Sequence, residues 1–141
     1  MEKVAFDIYY TDIQPGYRSY FLKLLKKLVT TETPPAHPAA HNKLYSILKK
    51  ELEELDYKVQ LLNGDKSGGQ LYARPNTKQT HCFQLLLGHI DTVWPTGTLD
   101  KMPFKSEDNT LTGPGIYDMK AGIAMMLTAL KVIYDHERYE T

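Results

Sequence analysis

A histidine and two aspartates between Leu85 and Gly122 have the types and spacing that metal chemistry requires. His89 and Asp91 directly follow the apolar run Phe83–Leu87 and lie two residues apart. In extended backbone their side chains therefore point to the same side. In open α/β sheets, ligands bind beyond the carboxyl ends of the strands. A histidine and a carboxylate at that point suit a metal ligand and its neighbour.

Asp118 supplies a second carboxylate. It follows the turn-forming run Gly113-Pro114-Gly115 and lies near the start of a helical pattern, where negative charge is favoured. Such a group could also bind a cation. A simpler interpretation is open: Asp118 caps the helix, and His89 is an ordinary polar residue at a strand end. Spacing alone does not decide between them, because His-x-Asp is a short motif.

Further fixed spacings surround these residues. They are Gly88-His89-Ile90-Asp91-Thr92-Val93, Gly97-Thr98-Leu99, Pro103-Phe104 and Gly113-Pro114-Gly115-Ile116-Tyr117-Asp118-Met119-Lys120-Ala121-Gly122. Together they resemble the signature of the zinc-dependent amidohydrolase and peptidase family of acetylornithine deacetylase, succinyl-diaminopimelate desuccinylase and glutamate carboxypeptidase. The two short middle runs resemble the glutamate carboxypeptidase branch most.

The resemblance implies a role for each candidate residue. His89 would bind one zinc, and Asp118 would bridge two. Asp91 would not be a ligand; it would bond His89, fix its orientation and raise its basicity, and is the catalytic candidate of this chain. Met119 stands where the family often has a second aspartate, which is not a ligand. The peptide bond after Asp118 is expected to be cis.

The resemblance also implies a reaction. The expected function is metal-dependent hydrolysis of an amide or peptide bond in a small N-acyl amino acid or peptide. The implied cofactor is Zn²⁺, two per complete site, with Co²⁺ as a substitute, and the whole protein is expected to form a homodimer. An alternative of a different class stays open, namely a non-catalytic interaction module that retains the peptidase fold.

The chain offers only part of such a site. The family uses five protein groups to hold its two zincs, and His89 and Asp118 are two of them. The general base, the other ligands and the dimerisation domain would lie past Thr141. Residues 1–141 are therefore expected to be the N-terminal portion of a catalytic domain, inactive when alone.

The predicted fold class is α/β, a layered α/β/α sandwich with a mostly parallel central sheet. The run Phe83–Leu87 has the length and composition of a fully buried strand of that sheet. Helices are expected on both faces, and a hairpin at one edge.

Periodicity supplies the other elements. One helix opens at Pro15-Gly16 and another near Pro38, each with an apolar stripe on one face. A final helix from Asp118 to Tyr134 is apolar nearly all round, which is typical of burial on all sides in a larger protein. Alternating patterns predict a hairpin and a second tight turn, formed by 57–61 with 70–74 and by Glu107-Asp108-Asn109.

Composition excludes several functions. Lys and Arg together number 17, as do Asp and Glu, and no long basic block occurs. Nucleic acid and anionic membrane surfaces are therefore poor partners. No run reaches transmembrane length, and Met1–Asp12 lacks an apolar signal core, so a cytoplasmic protein is expected.

Two further features are given structural interpretations. Cys82 is the only cysteine, cannot form an internal disulfide, and is expected to be a small core residue. His37 and His41 have a spacing that can bind metal on a helix. Pro38 lies between them and no acidic partner is near, so we do not assign a site there.

Overall fold

A computed structural model describes residues 3–5, 15–35, 37–64, 68–76 and 83–139 of the 141-residue chain. The α-helices in these ranges are α1 (Pro15–Val29), α2 (Pro38–Glu53), α3 (Thr98–Lys101) and α4 (Ala121–Tyr139). The strands are β1 (Lys3–Ala5), β2 (Tyr57–Leu62), β3 (Gln70–Pro75), β4 (Lys105–Glu107) and β5 (Thr110–Thr112). A kinked turn, Ile116–Lys120, leads into α4. The fold is mixed α/β.

The first two helices begin where the sequence predicts. Proline is favoured in the first helical turn because its missing N–H would have no helical partner there, and both α1 and α2 start at a proline. Their apolar stripes pack together with one side of α4 into a single core. Its buried members on α1 and α2 are Phe21, Leu24, Leu25, Leu28, Val29, Leu44, Tyr45, Leu48 and Leu52.

Glu51 departs from the predicted amphipathic pattern of α2. Charged residues of an amphipathic helix ordinarily face solvent, but the structure buries Glu51. Lys27 on α1 donates a hydrogen bond to its carboxylate, with 3.1 Å between Nζ and Oε1. A buried carboxylate must be paired to stay charged. The ion pair therefore accompanies the packing of α1 against α2.

The strand pairing of both predicted hairpins is confirmed. Strand β2 pairs antiparallel with β3, in a register that runs from Tyr57 opposite Pro75 to Leu62 opposite Gln70. Strands β4 and β5 flank the second turn, where Asp108 and Asn109 adopt left-handed backbone conformations. Asp and Asn tolerate that conformation better than most residues. Strand β1, which the sequence analysis does not predict, adds to β5 on its other side.

The structure does not show the predicted parallel central sheet. Both sheets formed by the described residues are antiparallel. The structure does not show the buried strand predicted at Phe83–Leu87, since Phe83 is 87% exposed and Leu87 79% exposed. A strand needs a neighbour to satisfy its backbone N–H and C=O groups. None of the described strands pairs with this segment: β2 pairs with β3, and β5 pairs with β1 and β4.

Helix α4 begins three residues later than predicted. Asp118 and Met119 have non-helical backbone angles, and the bond between them is cis, as the resemblance implied. One side of α4 is buried, whereas Met125 and Ile133 on the other are exposed, so burial on all sides is not observed. None of the described helices has the length and apolar character needed to cross a bilayer.

Candidate metal centre

The structure brings His89 and Asp118 into direct contact, although 29 positions separate them in the sequence. The imidazole Nε2 lies 2.8 Å from the carboxylate Oδ1. His89 follows Gly88, and Asp118 lies in the kinked turn before α4. Both side chains are exposed, at 45% and 67%. A cation could therefore reach them from solvent.

Asp91 occupies the other side of the imidazole. His89 Nδ1 lies 3.2 Å from the Asp91 carboxylate Oδ1 and 3.2 Å from its backbone carbonyl oxygen. A proton on Nδ1 can be donated to either oxygen, and in the tautomer that carries this proton Nε2 has none. The lone pair of a neutral His89 then belongs to Nε2, the atom that faces Asp118.

The two carboxylates determine the charge state of His89. Partial burial lowers the pKa of His89, but the hydrogen bond to Asp118 and the negative charges of Asp118 and Asp91 together raise it above its ordinary value. The site therefore favours positive charge at the imidazole. A bound cation at Nε2 would take the place of the proton that faces Asp118.

Close backbone contacts join the two loops that carry these residues. Gly115 has a positive φ of 72°, and a side chain there would collide with Thr92. The N–H of Lys120 donates to the carbonyl of Gly115, at 2.9 Å, and closes the turn around Asp118. At Gly88 an added Cβ would lie 3.2 Å from Met119 Cε. The glycines of both motifs thus allow the close approach of these loops.

Two charged residues near this site, the buried Lys120 and the partly exposed Glu32, do not stand out in the sequence. Lys120 is only 1% exposed; burial lowers its pKa to about 8, and the charge of Glu32 opposes that shift. Glu32 accepts hydrogen bonds from the backbone N–H groups of Gly97 (2.9 Å) and Leu99 (3.0 Å). These bonds lower the pKa of Glu32. An acidic residue in a proline-rich connection is ordinarily solvated, so the sequence carries no signal for it.

The donors fit zinc in chemical type. Zinc binds imidazole nitrogen and carboxylate oxygen, and Nε2 of His89 and Oδ1 of Asp118 face one another at the surface. In the part of the chain that the structure describes, no three His, Cys, Asp or Glu side chains form a group that could hold a metal ion. The described residues thus offer two candidate ligands, His89 and Asp118.

The other two sequence features do not add to this site. His37 precedes α2, whereas His41 is buried, and its Nε2 lies 3.2 Å from the carbonyl oxygen of Pro34. That nitrogen of His41 therefore already has a backbone partner. Cys82 lies outside the described residues, and the prediction that it is a core residue stays a prediction.

Comparison with known proteins gives consistent matches. Residues 85–140 match Peptidase family M20/M25/M40. The chain is 33% identical over 132 residues to carboxypeptidase G2 of Pseudomonas sp. (strain RS-16), covering 89% of this chain and 30% of that protein. It is also 33% identical over 117 residues to succinyl-diaminopimelate desuccinylase of Blochmanniella pennsylvanica (strain BPEN), covering 79% of this chain and 29% of that protein.

A third match has the same character. The chain is 33% identical over 116 residues to succinyl-diaminopimelate desuccinylase of Dechloromonas aromatica (strain RCB), covering 78% of this chain and 29% of that protein. The chain therefore spans about 30% of the length of the curated relatives that it matches.

Proposed function

Because this chain belongs to peptidase family M20/M25/M40, we propose that the whole protein hydrolyses an amide or peptide bond in a small N-acyl amino acid or peptide, with zinc as its cofactor. The observation that carries the proposal is the position of His89 between two carboxylates, with Asp118 at Nε2 and Asp91 at Nδ1. The names of the matched relatives, a carboxypeptidase and two desuccinylases, support hydrolysis of this kind.

Each of the three residues has a separate task in this proposal. His89 would hold zinc through Nε2, and Asp118 would hold it through its carboxylate. Asp91 would keep the Nδ1 proton of His89 in place, so that Nε2 presents its lone pair outward. When bound, zinc polarises a substrate carbonyl and lowers the pKa of a water molecule. The remaining ligands and the general base would come from other parts of the whole protein.

The exposed run Phe83–Leu87 has a place in the same proposal. Its apolar composition suits a strand buried in a parallel sheet, but no described strand pairs with it. We propose that the rest of the protein supplies neighbouring strands and that this segment then becomes the central strand that ends at His89. The described residues would be the N-terminal portion of that catalytic domain.

The test is to purify the full-length protein, determine its zinc content by elemental analysis, and measure amino acid release from N-acyl amino acids. We expect two zincs per chain, and we expect a chelator to abolish the activity until zinc or Co²⁺ is restored. A metal-free protein with full activity would overturn the proposal. A full-length protein that binds zinc but hydrolyses none of a broad set of N-acyl amino acids and dipeptides would contradict the proposed substrate class.

A further inference from the structure

One short segment between α1 and α2 contacts both loops of the candidate metal centre. On one side, Thr33 is fully buried, and its hydroxyl donates a 2.5 Å hydrogen bond to the carbonyl of Ile90. The Thr33 carbonyl in turn accepts the N–H of Thr92, at 3.0 Å. Ile90 and Thr92 are the residues on either side of Asp91. Thr33 therefore holds the backbone of the segment that carries His89 and Asp91.

The same segment holds the other loop through Lys120. The buried ammonium group of Lys120 donates a 2.7 Å hydrogen bond to the carbonyl of Thr31. Lys120 lies two residues after Asp118 and closes the turn around it. Glu32, between the two threonines, is electrostatically coupled to Lys120. Residues Thr31–Thr33 are thus a shared attachment point for the His89 and Asp118 loops.

The burial of these contacts contrasts with the exposure of the groups that they connect. Thr33 and Lys120 are almost inaccessible to solvent. In such a buried position an unmade hydrogen bond costs the full desolvation penalty of its polar group, so the geometry of each hydrogen bond is strongly enforced. His89 and Asp118 are exposed, where their own attraction is weakened by water. The buried contacts therefore have the greater influence on how far apart the two loops lie.

From this geometry we infer that Thr33 and Lys120 are positioning residues, which act through the Thr31–Thr33 segment to set the separation of His89 and Asp118 and thereby the metal affinity of the pair. The inference rests on the proposed function, since it concerns the same metal. Metal ligands must be held close to their preferred distances for tight binding. Neither Thr33 nor Lys120 would itself touch the metal or the substrate.

The experiment is a Co²⁺ titration of the metal-free full-length protein, followed by visible absorption, for the wild type and four variants. Thr33→Val keeps the side-chain shape but removes the hydroxyl donor to Ile90. Thr33→Ser retains the donor. Lys120→Met removes the ammonium donor to Thr31. The matched control is Thr128→Val, because Thr128 is also a buried threonine and its hydroxyl donates to a backbone carbonyl, that of Ala124 (2.7 Å), within α4.

We expect Thr33→Val and Lys120→Met to weaken Co²⁺ binding by about 10-fold to 100-fold, the range found when residues that orient metal ligands are removed. Their absorption bands should shift, because the ligand geometry changes. Thr33→Ser should bind within about 3-fold of the wild type. Thr128→Val should keep the wild-type affinity and spectrum even where its thermal stability falls as much as that of Thr33→Val.

Each other outcome has a definite reading. Wild-type affinity in folded Thr33→Val and Lys120→Met would overturn the inference and leave the proposed function intact. Failure of the wild type itself to bind Co²⁺ would contradict the proposed function. If one of the two variants does not fold, the other decides; if neither folds, the segment is required for folding rather than for placing the ligands, and the inference is overturned.

Discussion

His89 is distinguished by having a different carboxylate at each ring nitrogen. Asp91 lies two residues away and contacts Nδ1, whereas Asp118 comes from a distant loop and contacts Nε2. One imidazole nitrogen can bind metal while the other keeps its proton. The two aspartates therefore cannot have the same role in the proposed reaction, and substitutions should separate them.

We predict that His89→Ala and Asp118→Ala in the full-length protein each abolish hydrolysis and most zinc binding. Asp91→Ala removes a group that orients the ligand, so activity should fall by about 10-fold to 100-fold while zinc content falls less. Activity assays and elemental analysis after dialysis would measure both effects. Equal loss of zinc in all three variants would mean that the role of Asp91 has been misassigned.

Glu32 gives a pH-dependent contribution to stability. Its carboxylate accepts two backbone N–H groups, and its folded-state pKa lies below the ordinary value of 4.5. A depressed carboxylate pKa stabilises the fold at pH values above the unfolded-state pKa, and this stability is lost as the pH falls through the folded-state pKa. We predict that Glu32→Gln lowers the free energy of unfolding at pH 7 by about 1 to 2 kcal/mol.

Urea unfolding from pH 7 down to pH 3 would measure this effect. The difference between wild type and Glu32→Gln should shrink below pH 4.5 as the wild-type carboxylate is protonated. Glu107→Gln is the control, since Glu107 lies exposed on β4 and its substitution should change stability little. A stability difference between wild type and Glu32→Gln that stays constant over this pH range would contradict the assigned role of the Glu32 charge.

Among the elements, the turn before α4 has the strictest geometric requirement. Gly115 adopts a left-handed conformation with φ of 72°, and its α-carbon faces the side chain of Thr92. A residue with a Cβ would be strained by the backbone angle and would also push the two loops apart. The turn therefore couples the position of Asp118 to that of the His89 segment.

We predict that Gly115→Ala destabilises the protein by about 1 to 3 kcal/mol and weakens metal binding in the full-length protein. Gly16→Ala is the matched control, because Gly16 lies in α1 and an added Cβ there meets no atom within 4 Å. Helix propensity favours alanine over glycine, so the control should be neutral or stabilising. Thermal unfolding would compare them, and equal stability of the two variants would contradict the predicted clash.

At the scale of the whole molecule, the described residues leave the largely apolar segment Phe83–Leu87 uncovered. Phe83, Leu85 and Leu87 are each more than two-thirds exposed, at 87%, 71% and 79%. Exposed apolar runs of this kind mark surfaces that another segment or chain covers. The net charge of zero gives no general repulsion between copies. The 141-residue chain by itself therefore has a surface suited to association.

We predict that the 141-residue chain alone self-associates, retains no tightly bound zinc and has no amidase activity. Two ligands fall short of the three or four protein ligands that zinc sites use. Light scattering over a dilution series and elemental analysis after dialysis would test this. A double substitution of Leu85 and Leu87 by lysine should reduce the association. A strictly monomeric wild-type chain, or two retained zincs with turnover, would refute the corresponding claim.

Local sequence by itself determined the helices, the hairpins and the candidate residues. The stripe containing Phe21 and Leu28 has the helical period, and the prolines at 15 and 38 mark the helix starts, so each signal is contained within a few residues. The motifs around His89 and Asp118 were equally visible in the sequence. That these two residues meet was only implied by a resemblance, because no local pattern specifies a contact across 29 positions.

Tertiary structure alone decided the environment of the remaining groups. The apolar composition of Phe83–Leu87 predicts burial, but burial requires neighbouring strands, and none of the described strands supplies them. The local sequence predicts that Lys120 and Glu32 are solvated charges. In the structure Lys120 is buried, and Glu32 accepts hydrogen bonds from two backbone N–H groups. The physical reason is common to all three. Burial and hydrogen-bond partners come from distant parts of the chain, whereas the local sequence encodes only backbone preference and polarity.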